Sequence, residues 1–130
     1  MTQETTVFLG VILLAILHLF IPVLFKFSQN SFSTMIGPQD DLEPIESTYG
    51  QRLERANNNF KETLPLALGL LIMVHVLEKQ GGISATGAWV YLGARILYPI
   101  MFLSGIPMLR TLTWATSIVG LGMIAVAIAS

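Results

Sequence analysis

The chain is predicted to be an all-α membrane protein, a four-transmembrane-helix antiparallel bundle. Three observations lead there. Hydrophobic residues make up 53% of the 130 and charged ones 12%, about half the charged share of a soluble domain. The apolar residues fall into four stretches separated by short polar or turn-forming breaks. A soluble domain of this length has too little interior to hide so much apolar surface, so the bilayer is the solvent this composition requires. The length fits one domain over residues 1–130.

The first apolar run, residues 7–25, spans roughly 28 Å as a helix at about 1.5 Å per residue, enough to cross a bilayer. Residues 1–6 carry no Lys or Arg, so the basic n-region of a signal peptide is missing and the run reads as a retained helix. The second helix is expected over residues 48–77. Its first half is polar and only residues 64–77 are apolar, too few to span alone, so the polar half must enter the membrane or its interface. The third helix is expected over 85–103 and the fourth over 109–129. Gly87, Gly93, Gly105, Gly120 and Gly122 are small positions where helices can approach closely. Between the first two helices, Gly37, Pro38 and Pro44 break regular structure in a hydrophilic segment over 28–50, read as a surface loop. The run Glu78-Lys79-Gln80-Gly81-Gly82 forms a second turn, and Pro107 marks the third.

Several functions are excluded. A net charge of −1 gives no basic field for nucleic acid. The absence of cysteine removes disulfides, thiolate metal sites and a cysteine nucleophile. His18 and His75 lie far apart in apolar runs, a pattern that suits hydrogen bonds across helices better than a metal site. Lys26, Arg52, Arg55, Lys61 and Arg110 fall on one side of the predicted bundle and Lys79 on the other. The positive-inside rule then puts the first and third loops in the cytoplasm and both termini outside.

The chemistry concentrates in the second helix. Arg55, Asn59 and Glu62 fall on one helical stripe, with Arg52 close to it. Charged groups within a membrane are costly, about 2.5–3.5 kcal/mol each at its centre on insertion scales, so such a cluster is paired, interfacial or ligand-binding. Arg55 offers a planar donor fork suited to a carboxylate. Asn59 donates and accepts, and Glu62 accepts from an ammonium group. A ligand with a carboxylate and an amine matches this set. Pairing of Arg55 with Glu62, with Asn59 bridging helices, explains it equally well. In the third helix Tyr91, Arg95, Tyr98 and Phe102 share a face. The tyrosines suit an interfacial belt, whereas Arg95 lies inside a hydrophobic run and needs either a ligand, a salt bridge to Glu62 or a snorkelling path.

The string Arg55-Ala56-Asn57-Asn58-Asn59-Phe60-Lys61-Glu62-Thr63-Leu64-Pro65 resembles the signature of the MAPEG family, the membrane-associated proteins in eicosanoid and glutathione metabolism. Ala94-Arg95-Ile96-Leu97-Tyr98 and Gly105-Ile106-Pro107-Met108-Leu109-Arg110-Thr111 are similar to the third-helix and turn motifs of its bacterial members, and residues 37–44 to their first loop. The resemblance covers nearly the whole chain. It implies a homotrimer in the membrane, probed from the lipid by a hydrophobic small-molecule substrate, with glutathione bound between protomers near the cytoplasmic side. It also implies a location in the bacterial inner membrane. Arg55, Asn59 and Glu62 would then hold the tripeptide from the second helix, and Arg95 and Tyr98 from the third. Arg110 would be the catalytic residue, near the sulfur and favouring its thiolate. The implied activity is glutathione-dependent transfer or peroxide reduction. Three positions depart from the family pattern. Lys26 stands nearest to where several active relatives have an arginine, Asn58 where some have a second arginine, and Phe102 where many have tyrosine. Binding of glutathione or lipid without catalysis, and a purely structural trimer, are the other readings.

Overall fold

The computed structural model describes residues 1–29, 37 and 48–130. The hydrophilic segment read as the first loop, Gly37 apart, lies outside these residues over 30–47. The described residues form four helices, in order: α1, Gln3–Gln29; α2, Thr48–Val76; α3, Ile83–Leu103; and α4, Pro107–Ala129. All four are long and apolar enough to cross a membrane.

The helix ends have local causes. α1 starts four residues before its apolar run because the Thr2 hydroxyl accepts from the Thr5 backbone N–H at 3.2 Å, an N-cap arrangement. α4 begins at Pro107 rather than after it, since proline lacks only an N–H that the first helical turn leaves unused. Pro22, Pro65 and Pro99 lie inside helices, where neighbouring helices in a membrane protein compensate the lost backbone bonds.

α2 and α3 each touch all the other helices, whereas among the described residues α1 and α4 do not meet. α1 and α4 therefore flank a central α2–α3 pair. The core runs between Val7 and Val11 of α1, Phe60, Ala67, Leu71 and Val74 of α2, Ala88, Tyr91 and Leu92 of α3, and Leu121 and Ile124 of α4. α3 and α4 cross most closely. A Cβ on Gly87 would lie 2.6 Å from the Gly120 carbonyl oxygen, and one on Gly120 would lie 2.7 Å from the Gly87 carbonyl oxygen. Gly93 and Gly122 face open space, so of the five small positions Gly87 and Gly120 serve the helix crossing, Gly93 and Gly122 do not, and Gly105 lies against Arg52 instead.

Polar contacts lock one end of the bundle. The buried Glu4 carboxylate accepts from Gly81 N–H at 2.6 Å and from the Ser84 hydroxyl. This places a negative charge at the N-terminus of α3, where the helix dipole favours it. Lys79 donates to the carbonyls of Ile128 and Ser130 at 2.9 and 2.7 Å, and Trp89 Nε1 donates to Gln3 at 3.1 Å. The two histidines hydrogen-bond close in sequence rather than across helices. His18 donates from Nδ1 to Leu14 O at 2.9 Å within its own helix and stacks on Phe60 of α2. His75 pairs with Gln80 at 2.7 Å.

Candidate functional site

The other end of the bundle holds a pocket of about 400 Å³, within the size range of small-molecule sites. α2 supplies Arg55, Asn58, Asn59 and Glu62 to its wall, α3 supplies Tyr98 and Phe102, and α4 supplies Arg110, Thr111 and Trp114. A smaller recess of about 180 Å³ adjoins it, sharing Arg55, Phe102 and Arg110 and adding Arg52, Gly105, Ile106 and Pro107.

Each wall follows from helical spacing and local packing. Residues 55, 59 and 62 recur at intervals of four and three on one stripe of α2. Ala56 and Phe60, one step round the helix, are buried and turn that stripe toward α3 and α4. Tyr98 and Phe102 meet edge to face at 5.8 Å, a favoured aromatic geometry. The Arg110 guanidinium lies 5.0 Å from the Phe102 ring centre. Cation–π attraction there restrains the guanidinium against the pocket wall. Arg52 fastens the corner between α3 and α4. Its Nη1 donates to Leu103 O at 3.0 Å, and its guanidinium packs beside Gly105, whose φ of +76° suits glycine.

The structure thus brings together Arg55, Asn59, Glu62, Tyr98 and Arg110 from three helices. Arg95 is placed differently. It does not line the pocket but is 1% exposed and donates from Nη1 to Asn59 Oδ1 at 2.8 Å. Its guanidinium also lies 5.0 Å from the Tyr98 ring centre and 5.9 Å from that of Tyr91. Tyr91 in turn hydrogen-bonds Thr63 at 3.0 Å, so the face that carries Arg95 is tied to α2 along its length.

Sequence reasoning singled out neither Trp114 nor the structural part of Arg52. Trp114 follows Arg110 by one helical turn, and that spacing is the signal for a shared face. For Arg52 no signal existed, because its partner is a backbone carbonyl 51 residues away.

The arrangement suits a small polar ligand with negative charge and an amine. The wall holds two guanidinium groups, two side-chain amides and one carboxylate, next to aromatic rings. Four helices that are each long and apolar enough to cross a membrane define a class: multi-pass integral membrane proteins. The chain belongs to the MAPEG family, whose model matches residues 5–130. It is a multi-pass membrane protein of the family that serves eicosanoid and glutathione metabolism. Neither a curated protein nor a solved structure matches the chain.

Proposed function

We propose that this protein binds glutathione in the α2–α3–α4 pocket and uses it for transfer to, or reduction of, a hydrophobic substrate arriving from the bilayer. The observation that carries this reading is the convergence of Arg55, Asn59, Glu62, Tyr98 and Arg110 on one pocket. The donor set fits the tripeptide. Arg55 presents a fork to a carboxylate, Glu62 accepts from the ammonium group, and Asn59 and Tyr98 add hydrogen bonds. When bound, glutathione supplies a thiol that becomes nucleophilic or reducing on losing its proton.

Arg110 is the residue assigned to that proton loss. A free thiol has a pKa of about 8.5 and is mostly protonated at neutral pH. A guanidinium in the same pocket favours the anion, and each tenfold gain in thiolate corresponds to about 1.36 kcal/mol of preference. Stacking of Arg110 on Phe102 limits the reorientation needed when negative charge develops. Preorganised charge of this kind stabilises an anion at little reorganisation cost.

Calorimetric titration of detergent-purified protein with glutathione tests the assignment. Wild type is expected to bind saturably, and Arg55→Ala to lose binding while still assembled. Arg110→Ala is expected to keep most of the binding and to lose at least about tenfold in turnover of a generic hydrophobic electrophile. Absence of wild-type binding across the millimolar range would leave the polar cluster as an inter-helix network.

One observation favours a second reading, ligand binding without turnover. Phe102 lines the pocket and offers no hydroxyl to a thiolate. A substrate screen that finds saturable binding and no product with any electrophile or hydroperoxide would select it. For the assembly we propose a homotrimer in the bacterial inner membrane with both termini on the non-cytoplasmic side. Support comes from the exposed apolar helix faces and from the basic residues gathered at the pocket end.

A further inference from the structure

Arg95 presents an unusual combination in the interior. Its side chain is almost fully buried, its Nη1 donates to Asn59 Oδ1 at 2.8 Å, and its Nε and Nη2 have no hydrogen-bond partner among the described residues. A guanidinium has donors and no acceptor. The atom of Asn59 that faces it must therefore be the amide oxygen, which removes the ambiguity that ordinarily attends an amide flip. Asn59 also lines the pocket. With its oxygen engaged by Arg95, the group it has left to donate is the amide N–H pair.

We infer that Arg95 is a positioning residue: it clamps Asn59 by its oxygen, converts an amide of mixed character into a pure donor, and so makes the pocket select a ligand oxygen at that point. The inference rests on the glutathione reading for its probe. It assigns Arg95 no contact with the ligand. With Nε and Nη2 unpartnered among the described residues, the bond to Asn59 matters more, because a buried cation with few hydrogen bonds loses much by releasing one. The polarity of the wall follows. Arg55, Arg110 and Asn59 then donate, and Glu62, the carboxylate of the wall, marks the place of the ligand's amine. A neutral asparagine free to flip would accept an amine at position 59 as readily as an oxygen, and this discrimination would vanish.

The test is calorimetric titration with glutathione of wild type, Asn59→Asp, Arg95→Gln and the double variant, each with a thermal melt. An aspartate at 59 can pair with Arg95 but has no N–H to donate. Asn59→Asp is therefore expected to assemble and to melt at or above the wild-type temperature, while binding glutathione at least about tenfold more weakly. Arg95→Gln, measured on its assembled fraction, is expected to bind about tenfold more weakly as well. The double variant should bind no worse than Asn59→Asp alone, the sign of two residues acting as one unit. Wild-type affinity in Asn59→Asp, failure of that variant to assemble, or strictly additive losses in the double variant would each overturn the clamp while leaving the glutathione reading intact. Lack of binding by wild type would overturn both.

Discussion

Gly87 and Gly120 show how little room single atoms have in this bundle. Each faces the other's carbonyl oxygen, at a separation that a methyl group would reduce to 2.6–2.7 Å. Backbone cannot yield there as a flexible side chain would. Gly87→Ala and Gly120→Ala are each expected to destabilise the protein by about 1–3 kcal/mol, the usual cost of overpacking, seen as a lower melting temperature in detergent. Gly93→Ala, with open space around it, is the control and should change little. At the pocket, Phe102→Tyr adds a hydroxyl beside Arg110. The expected result is a several-fold rise in turnover of a generic electrophile, on the order of one extra hydrogen bond to the anion. An unchanged rate would mean that Arg110 alone sets the thiolate fraction.

At the scale of helices, two polar contacts hold the bundle's opposite ends. Glu4 of α1 closes the N-terminus of α3 through Gly81 and Ser84. Glu4→Ala leaves both donors without this acceptor and is expected to cost about 1–3 kcal/mol, with glutathione affinity unchanged because the pocket lies at the other end. Arg52 of α2 holds the corner from which Phe102 and Arg110 diverge. Arg52→Ala should therefore lower glutathione affinity a few-fold even though Arg52 lies outside the main pocket. Equal affinity in wild type and variant would show that the corner keeps its shape without the arginine. Between these ends, the boundaries of α1 and α4 were legible only in part. Their apolar runs announced them, but Thr2 extended the first helix and Pro107 started the last, both through backbone groups that hydropathy does not register.

For the whole molecule, the governing fact is exposed apolar surface. Only 17% of the most apolar window of the first span is buried within the chain, and Leu13, Leu17, Phe20 and Leu24 of α1 are more than half exposed. A water-soluble protein does not expose contiguous apolar surface on this scale, so lipid or neighbouring copies cover it. Orientation is open to a clean test because the chain has no cysteine. Ser130→Cys, at the Lys79 end, and Ser104→Cys, at the pocket end, introduce one thiol each. In intact cells a membrane-impermeant thiol reagent should modify Ser130→Cys and spare Ser104→Cys. The opposite pattern would place the termini in the cytoplasm and remove the charge-based orientation.

The sequence by itself determined the class of solvent, the four helices of membrane-spanning length among the described residues and the stripe that carries Arg55, Asn59 and Glu62. Composition and helical period act locally along the chain, so they are readable without knowing what lies across from them. The tertiary structure decided which neighbours complete the pocket and how each side chain is used. Arg95 and Asn59 are 36 residues apart, and nothing in either helix alone says that one guanidinium lies behind the wall while another lines it. Tyr98 and Arg95 share a face of α3, yet Tyr98 reaches the pocket and Arg95 does not. Depth and partner are set by how helices pack against each other, and a ligand sees only the atoms that this packing leaves uncovered.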